Sequence, residues 1–447
     1  MEGMNFQEKP YNAEFLEWLV GRPYWQVESQ LSSFRQQRSE GTLEWARTLP
    51  KFQAWRLSDL FDGQDRRITW IKGSLGVGKS VMAAYFIDLL KCQYRNAVVA
   101  YFFYRSNQPG LTSARDILRT LVYQCVDNNE AAQKSLAKLK SKGFQITADL
   151  GIGFLFEKLL LDPLTSSQEV YVVLDGLDEA DDVTLDHTDT AGRPELHVFL
   201  ACLGRLPSIR LLCISRPSAK IQTIIPNAFV KTLSKTDNGD DIDAYVRTEV
   251  GKSITLQTLF RQDPVQYFRE HGEGVFLWVK IVLQQLAKAK TASAFQNYLE
   301  GFSAAHNITD KLESLYHIIL SRISEDDKVW VNEIIGWLLV AKTPLSIGTL
   351  QALVEWCRED KIVAFQQFLD ETYGSILRFL PQPDGKGNLV ELVHETFKSF
   401  ITDPKVCPSP FLIDKPEVEC YCARQCLRCL TNHARAPIEV SEYSSSN

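Results

Sequence analysis

Between an apolar run, Ile68–Lys72, and an amphipathic segment, Val81–Lys91, lie eight residues, GSLGVGKS, that leave this chain few folding choices. The glycines relax the steric limits on the backbone, so successive N–H groups can turn to one side and form a concave seat for an anion. Such a loop has to close a buried strand and open a helix whose positive end faces the bound charge. Gly73, four residues, then Gly78, Lys79 and Ser80 is the spacing of a phosphate-binding loop. Lys79 supplies a compact positive charge for the β and γ phosphates, and the Ser80 hydroxyl is the type of ligand that magnesium takes. Gly76, Val77 and Val81 complete the set placed against a nucleotide's phosphates.

A second stretch, EVYVVLDGLDEADD (Glu169–Asp182), runs an apolar strand into five acidic side chains within eight residues. Val170 to Leu174 lack polar alternation, which predicts a strand buried on both faces. Carboxylates at the end of a core strand are costly without compensating charge. A phosphate loop requires an acid at the end of a neighbouring strand to hold magnesium, and Asp175 is in that position. Asp178 and Glu179 follow at the distance where a carboxylate orients and polarises an attacking water. Asp181 and Asp182 read as the start of a solvated loop. A third stretch, IRLLCISRP (Ile209–Pro217), ends in Ser215 and Arg216. The planar fork of Arg216 suits the oxygens of a γ-phosphate, the alternative being an ion pair with a nearby acid.

Strand patterns at Ile68–Lys72, Val98–Phe103, Val170–Asp175, Arg210–Ser215 and Phe229–Leu233 alternate with helical ones. The expected fold class is therefore α/β: a parallel sheet flanked by helices, with its site at the carboxyl ends of the strands. Residues 1–39 carry one helical segment, near Ala13–Val20, and residues 40–233 form the nucleotide-binding core. Residues 234–323 turn helical, with segments at Asp240–Gly251, Pro264–Glu270, Val275–Lys288 and Lys311–Ile323. Residues 324–404 read as a winged helix. Helices at Val329–Val340, Ile347–Cys357 and Phe365–Phe379 precede a turn, Asp384–Gly387, set between short strands, and a helix follows. Residues 405–447 are a linker into one last helix. No repeat of about 33 to 45 residues is seen.

The 447 residues carry a net charge of −6 and no block of basic residues, so nucleic acid is not the expected partner. The first residues have no secretory pattern, and no apolar run approaches the roughly 20 residues of a membrane span. The expected location is cytoplasmic. Of the ten cysteines, Cys92, Cys125, Cys202, Cys213 and Cys357 sit singly in apolar segments and read as small buried hydrophobes. Cys422, Cys426, Cys429 and His433 follow helical spacing, which favours a buried helix face over a metal site.

With GSLGVGKS, VVLDGLDE and LLCISRP in this order, the chain resembles the NACHT family of STAND P-loop NTPases, related to the NOD-like receptors. Further stretches resemble the fungal branch and the nephrocystin-like N-terminal region: EGTLEWARTLPKFQAWRL (Glu40–Leu57), VVAYFFYR (Val98–Arg105), EGVFLWVKIVLQQL (Glu273–Leu286) and LVELVHETFKSFI (Leu389–Ile401). The resemblance implies ATP or ADP with Mg2+ as cofactors, held by Lys79, Ser80 and the magnesium carboxylate Asp175. It implies Glu179, with Asp178, as catalytic acids, Arg216 as γ-phosphate sensor, and His394 as the lid residue presented to the β-phosphate of ADP. A proline common in the post-core helix of the family is absent from EGVFLWVK. Trp45, Phe52 and Trp55 are candidates for stacking on a base, with core packing preferred.

The leading expectation is a slow ATPase that gates lid opening and nucleotide-dependent self-assembly or binding of an effector protein. A scaffold that binds nucleotide without turnover is the alternative. A small-molecule phosphotransferase fits poorly, because it has no use for the long helical and winged regions behind the core.

Overall fold

In a computed structural model the described residues are 13–20, 25–57, 67–105, 111, 113–127, 129–147, 149–163, 169–180, 194–303, 308–374, 376–381, 387–392, 394–408 and 410–435. The chain divides into two units, residues 1–298 and 299–447.

The first unit is built on five strands: β1 (Ile68–Lys72), β2 (Val98–Phe103), β3 (Val170–Asp175), β4 (Ile209–Ser215) and β5 (Phe229–Thr232). They are parallel, in the order β2-β3-β4-β1-β5. Every residue of β3 is buried. Because strand side chains alternate between faces, this requires cover on both sides of the sheet. Helices Trp25–Gln37, Lys79–Gln93, Ala114–Val126 and Glu195–Arg205 supply it, and their apolar residues join one core with the strands. Helix Ala114–Val126 starts on a capping box, Ser113 with Asp116, which satisfies amide groups at the open helix end.

Two features differ from the sequence reading. Residues 25–37 form a helix that the sequence did not announce, because its apolar positions are thinned by Gln and Ser. Val27, Leu31 and Phe34 of that helix are buried in the sheet core, so residues 25–37 pack as part of the first unit. The helices Gly239–Lys252, Ile254–Leu259, Pro264–His271 and Phe276–Ala287 belong to the first unit, while Ile308–Ser321 belongs to the second. The expected 234–323 segment is thus divided between the units.

The second unit packs helix Ile308–Ser321 against Glu395–Thr402 through Tyr316, whose ring lies 5.1 Å from that of Phe397 and whose hydroxyl is 2.7 Å from Thr396 Oγ1. Helices Glu325–Val340 and Ile347–Arg358 follow, with β6 (Leu345–Ser346) between them. Next come a short helix, Phe365–Phe368, a π turn, Leu369–Tyr373, and then β7 (Leu377–Pro381) and β8 (Asn388–Leu392). These three strands are antiparallel, in the order β6-β8-β7. The helix expected over Phe365–Phe379 therefore stops at Tyr373, and Leu377–Phe379 pairs in the sheet instead. The turn expected at Asp384–Gly387 lies outside the described residues except for Gly387, as do Asp181 and Asp182. Helix Lys415–Arg435 carries the late cysteines. Cys422 is buried against the unit, but Cys426 is exposed, so the stripe is only partly a core face. Cys92 is exposed as well, at the last turn of its helix.

Candidate functional site

The loop after β1 starts where the Gly73 amide donates to Ser215 O of β4, at 3.2 Å. Gly76 and Gly78 adopt φ +70° and +93°, the left-handed region that glycine enters without steric cost. At Gly76 there is a second constraint: a Cβ there would lie 2.8 Å from Val275 Cγ1 and 3.0 Å from Leu277 Cβ. Helix Lys79–Gln93 begins immediately after Gly78, so its unpaired N–H groups face the loop. Lys79 Nζ donates across the loop to Ser74 O at 2.8 Å. Burial pushes the Lys79 ammonium pKa down, and Asp175 opposes that shift most strongly.

The strand order brings the acidic stretch to the same sheet end. β4 alone separates β1 from β3, so the tips of β1, β4 and β3 line up across the site. Ser80 Oγ donates to Asp175 Oδ2 at 2.6 Å. Asp175 is 2% exposed, and burial raises its carboxyl pKa; the nearby Arg105 guanidinium, the Ser80 hydrogen bond and Lys79 pull it back. A hydroxyl, a buried carboxylate and an ammonium at one glycine-rich loop that opens a helix form the donor set that magnesium and phosphate oxygens require, so the residues fit Mg2+-nucleotide.

Beyond Asp175 the chain makes a single 3-10 turn, Leu177–Ala180, that splays the next two acids apart. Asp178 is taken by the tip of β4: its Oδ1 accepts from the Arg216 amide at 2.9 Å, and its Oδ2 accepts from Arg216 Nε. Arg216 is thus in an ion pair with Asp178, the alternative considered for it from the sequence. Glu179 Oε1 instead accepts from Arg105 Nη1 at 3.1 Å. Ser215 does not face the site: it is fully buried, and its Oγ accepts from the Trp70 indole at 2.7 Å and donates to Arg216 O at 2.9 Å.

Three residues of this site were not found from the sequence. Arg105 lies two positions past the end of β2, beside the acidic strand. Asn238, before helix Gly239–Lys252, donates from Nδ2 to Gly274 O at 2.7 Å and to Val77 O at 3.5 Å. Asp241 Oδ2, on that helix, accepts from the Leu43 amide at 2.8 Å and from the Trp45 indole at 2.7 Å. With the Leu277 amide donating to Gly76 O at 3.1 Å, these bonds tie the loop and the lead-in segment to the helices after the core. Arg105 carried a legible signal, an arginine just past a strand tip. Asn238 and Asp241 resemble ordinary helix-start residues.

Of the three aromatic candidates, two sit in the core as preferred. Phe52 and Trp55 are fully buried, with Phe52 stacked on Phe86 at 4.1 Å; Trp45 is half-buried and held by Asp241. His394 is in the second unit, where its Nδ1 accepts from the Thr396 amide at 3.2 Å as the N-cap of helix Glu395–Thr402.

Residues 41–216 match the family described as nephrocystin 3, N-terminal. Vegetative incompatibility protein HET-E-1 of Podospora anserina is 25% identical over 376 residues, covering 80% of this chain. The chain spans 26% of that relative's length. Among solved structures, a Walker-type ATPase of Pyrococcus abyssi aligns over 81% of this chain and 96% of its own, at 12% identity and a TM-score of 0.38. The Aeropyrum pernix ORC2 protein, solved with ADPNP and ADP, aligns over 81% of this chain and 88% of its own, at 11% identity and a TM-score of 0.32.

Proposed function

We propose that this chain, whose core is similar to NACHT-type STAND P-loop NTPases, is an ATP-binding and slowly hydrolysing signalling switch, whose nucleotide state gates a lid and through it self-assembly or an effector protein. The observation that carries this reading is the closure of Ser80 on Asp175 beside Lys79, across a loop whose Gly76 carbonyl is held by the helices that follow the core. A change at the phosphates then has a covalent path to those helices and a hydrogen-bonded one.

In this reading Lys79 and the loop amides bind the β and γ phosphates, while Ser80 and Asp175 hold magnesium. When bound, Mg2+ supplies positive charge against the phosphate oxygens and so lowers the barrier to their transfer. Glu179 orients the attacking water. Arg216 exchanges Asp178 for the γ-phosphate, an option its half-exposed position supports. Residues 324–404 act as a winged-helix lid: a helix, a short strand, two further helices and the hairpin β7–β8 occur in the order that such a domain uses. Residues 234–323 link core and lid, and His394 engages the β-phosphate of ADP. The name of the Podospora relative, a vegetative incompatibility protein, supports incompatibility signalling as the setting, and the cytoplasmic location expected from the sequence is kept as part of the proposal.

The energetics limit what nucleotide alone can do. Turning a mostly closed population into a mostly open one takes about 5.5 kcal/mol of differential binding. One charge-assisted hydrogen bond contributes roughly 1.5–3 kcal/mol, so partner binding has to supply the rest. The deciding experiment is ATP turnover by wild type and Glu179→Gln at saturating Mg2+. A slow wild-type rate that the variant abolishes supports the switch, whereas equal background rates with intact binding support the scaffold.

A further inference from the structure

We propose that Arg105 is a positioning residue for hydrolysis: it fixes the carboxylate of Glu179 beside Asp175, and so assigns the water-directing task to Glu179 and not to Asp178. The inference rests on the reading of the site as an ATPase.

Three observations carry it. First, Arg105 is anchored on several sides. Its Nη1 donates both to Tyr104 O at 2.8 Å and to Glu179 Oε1 at 3.1 Å, Nη2 lies 3.9 Å from Asp175 Oδ2, and the guanidinium sits 5.4 Å over the Phe34 ring. Its side chain is only 18% exposed, unlike a solvated ion pair that samples many rotamers. Second, the backbone makes room for it. Gly176 sits at φ +80°, where a Cβ would lie 2.9 Å from Tyr104 O and 3.3 Å from Arg105 Nη1. The glycine between the metal carboxylate and the second acid is thus what lets the guanidinium reach Glu179. Third, the 3-10 turn separates the two acids: Asp178 is held by Arg216 and Glu179 by Arg105. A carboxylate held by a largely buried guanidinium that is itself anchored keeps its orientation as charge builds at the phosphate, which is what a supporting group contributes to a catalytic one.

In the step concerned, the water oxygen bonds to the γ-phosphorus as the bond to the β-γ bridging oxygen breaks. ADP leaves with that electron pair, and the water proton passes to Glu179 and then to solvent. In this proposal Arg105 acts through Glu179.

The test uses the full chain as wild type, Arg105→Ala, Arg105→Lys, Glu179→Gln and the Arg105→Ala/Glu179→Gln double variant. Binding of Mg-ADP, steady-state kcat and KM for ATP, and retention of the Mg-ADP-aluminium fluoride complex are measured. The inference expects Arg105→Ala to bind Mg-ADP like wild type, to lose kcat by about tenfold or more with KM little changed, and to release the fluoride complex faster. Arg105→Lys restores most of both, and removing Arg105 from Glu179→Gln costs nothing further. It is overturned by a wild-type kcat and fluoride complex in Arg105→Ala, by an equal loss in the Glu179→Gln background, or by lost ADP binding in both Arg105 variants. Wild type that binds ADP without turnover leaves the fluoride complex to decide; wild type that binds no nucleotide overturns the site reading itself.

Discussion

Ser80 Oγ and Asp175 Oδ2, 95 positions apart in the chain, meet at 2.6 Å across the carboxyl end of the sheet. The contact joins the phosphate loop to the acidic strand although β4 runs between their parent strands, because the helix start at Lys79–Ser80 reaches over the tip of β4. Burying a carboxylate this deeply is unfavourable unless something compensates for it. Here the Arg105 guanidinium, the Ser80 hydroxyl and Lys79 do so in part.

Lys79→Ala removes the charge that spans the loop. Nucleotide affinity should fall by roughly 10- to 150-fold, the value of one charge-assisted contact of about 1.5–3 kcal/mol, with the fold intact. Titration with a fluorescent ADP analogue checks it; an affinity unchanged within twofold contradicts the assignment.

Gly76→Ala should damage both stability and binding. The added methyl meets Val275 Cγ1 at 2.8 Å and Leu277 Cβ at 3.0 Å, on a backbone already at φ +70°. A loss of about 1–3 kcal/mol in urea unfolding is expected, together with weaker nucleotide binding. Gly78→Ala meets no neighbour within 4 Å and suffers only from its φ of +93°, so it should cost less stability.

Asp241 gives a pH signature. Burial raises its carboxyl pKa above the ordinary 3.8, more than the bonds from Leu43 and Trp45 lower it. An acid with a raised folded pKa binds more protons folded than unfolded, so its contribution to stability is greatest below 3.8 and declines as pH rises through the folded value. Asp241→Asn should flatten that slope, keeping an acceptor without the charge. Asp241→Ala should lose about 1–3 kcal/mol at neutral pH, because the amide and indole are left without their acceptor. Melting curves of the three proteins between about pH 3 and 7 decide it; parallel slopes in wild type and Asp241→Asn contradict it.

His394 has two separable roles to test. As an N-cap it should be replaced well by Asn, whereas Ala should cost about 1 kcal/mol. As a ligand of ADP it should be replaced by neither, so both variants should release ADP faster and populate the assembled form. If His394→Asn releases ADP at the wild-type rate, the residue is a cap and no more.

Much of this arrangement was legible because its signals are local. β1, β2 and β3 were delimited to the residue, and for β1 and β3 the ends are sharp because the apolar runs stop at Gly73 and at Asp175–Gly176. That the turn Gly73–Ser80 and Asp175 come to the same sheet end was legible for the same reason, since both follow directly on apolar strands. What stayed hidden depends on distant partners. Helix Trp25–Gln37 has a weak apolar pattern and is recruited by the sheet. The end of the helix at Tyr373 is set by pairing of Leu377–Pro381 with β8, a tertiary effect that outweighs helical propensity. Asp241 reads as one acid among several at a helix start until Leu43 and Trp45 are brought to it from about two hundred positions away. The pairing of Asp178 with Arg216 and of Glu179 with Arg105 is likewise invisible to spacing, since a 3-10 turn decides it.

The most direct test of the central claim is ATP affinity with and without Mg2+, in wild type and in Asp175→Asn. The account predicts that Mg2+ tightens ATP binding by wild type about tenfold or more, and that Asp175→Asn binds ATP without responding to the metal. An equal Mg2+ effect in both proteins, or no binding of ATP or GTP at millimolar concentration by wild type, would contradict it.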